Sequence, residues 1–269
     1  MSSSSTPDAL WSAPSLRLLR PTAVSCANVT RGRLLDRCRL SVPVGQRLLL
    51  AAEPEASASA LLRVLAGLSR TTNGRIEIAG LSDPSWEGWG RRVAYLGPDP
   101  GIRAWMTPRE TLALAADLLR LGPSEAARRT ERVLAWVRIG SGEMDRPVRR
   151  GGPALQQRTG LAAALLGDPE VLLLDEPLRA VDADERARML RLPGRRRTML
   201  LASRYPASEA GLVGHVALLR AGRVEMVAPV TALEAAGLPL SMRGIVELAG
   251  LRATTEGRGA AGRRVVATR

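Results

Sequence analysis

Val171-Leu172-Leu173-Leu174-Asp175-Glu176-Pro177 is the stretch that decides the fold. Four apolar residues run without polar alternation into two adjacent carboxylates and a proline. A run so short and so uniformly apolar suits a strand buried on both faces of a parallel sheet. Open α/β sheets bind their ligands outside the carboxyl ends of the strands, and this puts Asp175 and Glu176 at a candidate site. Pro177 has no N–H to offer a ladder, so the strand ends there.

The flanks extend the pattern. Upstream lies Ala162-Ala163-Ala164-Leu165-Leu166-Gly167-Asp168-Pro169-Glu170; downstream lies Leu178-Arg179-Ala180-Val181-Asp182. Together, Leu161 to Asp182 resembles the Walker B strand and D-loop of an ATP-binding-cassette nucleotide-binding domain. The resemblance implies an α/β fold with the core of a P-loop NTPase: a mainly parallel sheet flanked by helices, an antiparallel β part and a helical lobe. In that family the first acid holds magnesium through water and the second polarises the attacking water. Asp175 and Glu176 take those places here, and Asp182 takes the D-loop position.

The phosphate-binding part is altered. Arg47-Leu48-Leu49-Leu50-Ala51 reads as a central strand, and Leu61 to Leu68 carries apolar residues at helical spacing. Strand, loop, helix is the geometry of a phosphate loop, where the family expects glycines and Gly-Lys-Ser/Thr. Counted back without a gap from Leu61, the loop reads Ala52-Glu53-Pro54-Glu55-Ala56-Ser57-Ala58-Ser59-Ala60. Ala58 stands at the lysine position, the glycines are gone, and Glu53 and Glu55 bring negative charge where a polyanion should sit. Only Ser59 remains to meet magnesium beside Asp175. The chain contains no lysine, so no other register restores one.

The remaining nucleotide contacts are replaced as well. The adenine-stacking aromatic aligns near Arg31; Pro98 follows the strand Val93–Leu96 where the family has its Q-loop glutamine; Arg204 stands in for the switch histidine. Gapless counting puts Gly151, Gly152, Pro153, Ala154 and Leu155 on the signature motif Leu-Ser-Gly-Gly-Gln, and a two-residue insertion instead sets Arg150 at the serine. In either register the serine hydroxyl is missing. Pro153 suits the start of a helix, whose free amides can still face a phosphate. Elsewhere, Asn73-Gly74 signals a hairpin turn, and Thr107-Pro108-Arg109-Glu110 spells an N-cap, a proline at N1 and a capping box. Trp86, Trp89, Trp105 and Met106 are candidates either for a permease-docking groove or for ordinary core.

These signals divide the chain into a disordered lead-in (1–15), a cassette-like domain (16–225, helical lobe about 99–155), C-terminal helices (226–251) and a basic flexible tail (252–269). The tail holds five arginines against Glu256. The N-terminus lacks the pattern of a secretory signal, and no apolar run approaches the roughly 20 residues of a membrane span. Cys26 and Cys38 have no metal spacing and are expected to stay reduced. The net charge of +13 comes wholly from arginine. Aromatic scarcity, with no Phe, argues against a base-stacking surface, so no nucleic-acid partner is expected.

The resemblance therefore implies a non-hydrolysing transporter subunit, cytoplasmic and peripheral on the inner face of the membrane. It would dock a transmembrane permease and pair as a heterodimer with an active ATPase subunit. No cofactor is expected in its own site; Mg-ATP would bind at the interface with the partner. Two other functions are open: a soluble regulatory or scaffold module that kept the fold, and an atypical active ATPase.

Overall fold

The computed structural model of the chain describes residues 21–82, 88–192 and 197–264. The lead-in and Trp86 lie outside the described residues. Strands β1 (Thr22–Arg31) and β2 (Leu35–Pro43) come first, and β3 (Arg47–Glu53) leads into helix α1 (Ala56–Leu65). After β4 (Asn73–Ile78) follow the short α2 (Trp89–Arg92) and β5 (Val93–Leu96). The helical lobe holds α3 (Pro108–Leu118), α4 (Pro123–Val137), α5 (Ser141–Met144) and the start of α6 (Gly152–Leu166). The chain returns through β6 (Val171–Asp175), α7 (Ala183–Leu190), β7 (Thr198–Ala202), β8 (His215–Arg220) and β9 (Arg223–Pro229), and closes with α8 (Val230–Ala235) and α9 (Met242–Arg264).

Six strands form one sheet in the order β5-β6-β7-β3-β8-β9. All neighbours in it are parallel except β8 and β9. A separate antiparallel sheet has the order β2-β1-β4. The apolar stem of β6 is buried along its whole length, as its lack of alternation requires. Its side chains alternate between two cores. Leu172 and Leu174 join α3, α4 and α6 on one face, whereas Val171 and Leu173 join α1 and the antiparallel sheet on the other. Leu48 and Leu50 of β3 likewise pack opposite to Leu49 and Ala51. This two-sided burial is what fixes the carboxyl ends of β3, β6 and β7 side by side.

Local signals were read correctly at the entry to the helical lobe. Glu110 donates its N–H to the Thr107 hydroxyl at 3.1 Å, and the Thr107 N–H reaches the Glu110 carboxylate at 2.9 Å. Together they make the capping box that starts α3. Two expectations fail. Asn73-Gly74 is no hairpin turn but the first part of β4, at a register shift against β1. A Cβ on Gly74 would lie 2.4 Å from the Asn28 carbonyl oxygen, so its φ of +97° serves a close backbone approach within a bulge. The tight hairpin lies instead at Ala221-Gly222 between β8 and β9, where both residues have positive φ. The basic tail expected from Arg252 is helical as far as Arg264. Ile245 and Leu248 anchor α9 in the core, and no proline follows to stop its propagation.

Candidate functional site

The carboxyl ends of β3, β6 and β7 and the start of α1 enclose a cavity of about 340 Å³. Glu55, Ala58, Ser59, Asp175, Glu176 and Arg204 line it together, as the sequence reading grouped them. Ser203 and Met242, the first residue of α9, also reach it.

The first turn of α1 gives its amides to the preceding loop. Ser57 N–H donates to the Pro54 carbonyl at 2.9 Å and Ala58 N–H to the Glu55 carbonyl at 3.1 Å. Ala58 is buried and offers only a methyl group. Glu55 points outward, 67% exposed, at 4.0 Å from the Arg204 guanidinium. Glu53 turns away from the cavity to Arg220 at 3.2 Å. Ser57 is fully buried and its hydroxyl has no partner among the described residues. Ala60 packs into the core below.

Asp175 is buried and already doubly bonded. Ser59 donates to one of its oxygens at 2.9 Å and the Tyr95 phenol to the other at 3.1 Å. Tyr95 comes from β5, next to β6 in the sheet. Burial, and then the Asp175 charge, push the Tyr95 phenol above its ordinary range. Ser59 and Asp175 thus meet as a metal pair would. By themselves they supply only part of the near-octahedral oxygen shell that magnesium demands; waters and phosphate oxygens would complete it. Among the described residues no group of three or more His, Cys, Asp or Glu converges on a metal position.

Glu176 is likewise taken. One oxygen accepts from the Arg204 N–H at 2.5 Å and the other from Arg179 Nε at 2.6 Å. Arg179 also donates to the Ser203 hydroxyl at 2.6 Å and lies 5.2 Å from the centre of the Tyr205 ring. Beneath it, the fully buried Glu209 accepts two bonds from Arg186, at 2.8 and 2.9 Å. Arg186 in turn donates to the Pro177 carbonyl at 2.9 Å. The guanidinium and the backbone amide fix the orientation of this carboxylate and occupy two of its roughly four acceptor sites.

The other named residues lie outside the cavity. Pro98 offers its carbonyl to Gln157 at 3.4 Å, and Gln157 accepts the Ala180 N–H at 2.8 Å, so this glutamine ties β5's exit to the segment after β6. Gly151 ends a 3₁₀ turn, Gly152 opens α6, and Pro153 occupies its first turn, as read. Leu155 is buried, and a Cβ on Gly151 would fall 2.3 Å from it. No side chain caps α6. Asp182 caps α7, accepting from the amides of Asp184 and Glu185 at 3.0 and 3.3 Å. Arg31 sits at the end of β1, half-buried. Trp89 is core, whereas Trp105 is 61% exposed.

Sequence reasoning missed Tyr95, Arg179, Gln157 and Met242. Arg179 alone carried a signal: a cation three residues beyond Glu176, in a segment too short to leave its neighbourhood.

A parallel sheet with a phosphate-loop connection, two acids at a strand end and an inserted helical lobe define a nucleotide-binding cassette. The ABC transporter family model matches residues 35–179, and the chain belongs to that family. It is 35% identical to the taurine import ATP-binding protein TauB of Mesorhizobium japonicum, over 72% of this chain and 73% of that protein. It is 33% identical to the aliphatic sulfonates import ATP-binding protein SsuB of Corynebacterium glutamicum, over 71% and 76%. Among solved structures, the ATP-binding subunit of an ABC transporter superposes with a TM-score of 0.74 at 22% identity, covering 84% of this chain and 99% of that one. A dimeric cassette bound to ADP and Pi superposes with a TM-score of 0.67 at 17% identity, covering 77% and 98%.

Proposed function

We propose that this chain is the non-hydrolysing cassette subunit of an importer, pairing with an active ATPase subunit and docking a transmembrane permease. It would work at the cytoplasmic face of the membrane; among the described residues no helix is long and apolar enough to cross one. Import is the direction the names of the taurine and sulfonate relatives carry.

The observation that supports the reading best is the state of Glu176. Both of its oxygens are held by the chain's own Arg179 and Arg204, beside a loop that has Ala58 in place of a phosphate-binding cation. In this family each ATP lies between one subunit's phosphate loop and the other's signature segment. Two copies of this chain would form two sites, each without an anion cradle. One copy opposite an intact partner leaves one sound phosphate loop, closed by the uncapped start of α6 at Gly152, whose amides and dipole favour a phosphate.

Purifying the native complex and solving it with ATP tests the pairing. The expected result is a second, lysine-bearing cassette, a permease, and nucleotide on the partner's loop facing Gly152. Two copies of this chain as the cassette dimer, or nucleotide seated at Ala58–Ala60, would overturn it.

A further inference from the structure

A second cavity, of about 490 Å³, shares no lining residue with the first. It lies against one face of α4, which presents Glu125, Arg128, Arg129, Arg132, Val133 and Trp136 at spacings of three and four residues. The end of α6 and the approaches to β7 close it.

Its floor is apolar. Val133, Leu165, Leu166 and Leu192 are all buried there. The Trp136 indole forms a fixed wall, donating its N–H to the Met189 carbonyl at 3.0 Å with the Arg188 guanidinium 5.7 Å from the ring centre. The rim is cationic, with four arginines against Glu125 and Asp168. Arg128 and Arg129 share Glu125, and Arg129 also bonds the Leu166 carbonyl at 3.1 Å. Arg197 pairs with Asp168. Arg132 makes no hydrogen bond or ion pair among the described residues.

We propose that this cavity binds a small amphipathic anion: one carboxylate, sulfonate or phosphate joined to an aromatic or aliphatic group. Arg132 supplies the free guanidinium, whose planar fork matches such oxyanions. The surplus of two positive charges selects against cations. The buried leucines and the indole reward an apolar body that a bare inorganic ion lacks. The volume falls in the range of small-molecule sites.

Calorimetric titration of the full chain with phenyl phosphate tests this, with inorganic phosphate and benzyl alcohol as controls. Phenyl phosphate is expected to saturate at least about 10-fold more tightly than either control, and Arg132→Ala to weaken it by about 10-fold or more. Circular dichroism should show the exposed Arg132→Ala variant as folded as the parent. Ser59→Ala, at the other cavity, should leave the affinity unchanged. Equal binding of phenyl phosphate and phosphate, full affinity in Arg132→Ala, or loss of binding in Ser59→Ala would each overturn the assignment.

Discussion

The two ends of β6 obey different rules. Its stem, Val171 to Leu174, is packed from both sides and has no freedom to change chemistry. Its carboxyl end opens on a cavity, which Asp175 and Glu176 line beside Ala58 and Arg204. The difference teaches that the acids at an open strand end can serve as structural joints. Asp175 joins α1 to β5, and Glu176 joins β7's exit to Arg179. The stem should still be the costlier end to damage. Leu173→Ala leaves a hole between β6 and α1 and is expected to lower stability by about 2–5 kcal/mol in denaturant unfolding. A cost below that of any change at Glu176 would reverse the ranking.

At the other end, Glu176→Gln breaks a charged joint. The carboxylate is largely buried, 14% exposed, so the variant leaves Arg179 to the more distant Glu209, 3.6 Å away, which Arg186 also holds. A stability loss of about 1–3 kcal/mol is expected. Under the proposed pairing, turnover of an assembled transporter should hold, while the equivalent change in an active partner should cost about 10²–10⁴-fold. An unchanged unfolding midpoint with collapsed turnover would show that this acid still does chemistry.

Alkali separates the same regions more gently. Burial raises the Cys26 thiol above its ordinary range and pushes Cys38 up to about 11, both within the antiparallel layer. Tyr95, at the carboxyl ends, is raised too. A raised folded pKa stabilises below the unfolded value and is lost as pH rises through the folded one. Stability should therefore fall above pH ~9 as unfolded thiols ionise, by up to about 1.4 kcal/mol per pH unit for each thiol. Tyr95→Phe should flatten only the part of the slope beyond pH ~10, where unfolded tyrosine titrates. A slope unchanged by that substitution would mean that burial beside Asp175 does not hold Tyr95 protonated in the folded chain.

Most of the fold was legible because it rests on apolar period and helix caps, which are local. The bare stem of β6 announced a two-faced strand, and Thr107-Pro108-Arg109-Glu110 announced α3. Asn73-Gly74 misled because the same dipeptide serves a turn or a bulge, and only the approach of Asn28 decides which. The substitutions at Ala58, Pro98 and Arg204 were visible as letters. What holds the acids was not, since Tyr95 and Arg179 reach them through strand order and a turn that no short spacing encodes.

The smallest expected effect is the sharpest test of the comparison. If the carboxyl end of β6 is a joint and no longer a nucleotide site, the isolated chain should give no saturable signal with a fluorescent ATP analogue and magnesium in the low micromolar range. Phosphate binding normally draws on loop amides, a lysine and a metal. Here the amides of Ser57 and Ala58 close onto Pro54 and Glu55, Ala58 carries no charge, and Asp175 is bonded to Ser59 and Tyr95. Glu55 adds repulsion at the loop, and in water two like charges about 4 Å apart already cost ~1 kcal/mol. Ala58→Lys alone should not restore binding, because it leaves Glu55 in place. Ala58→Lys with Glu55→Gly should shift the titration measurably, since it supplies the cation and removes the nearest acid. Tight binding by the unaltered chain would return β6's acids to nucleotide chemistry.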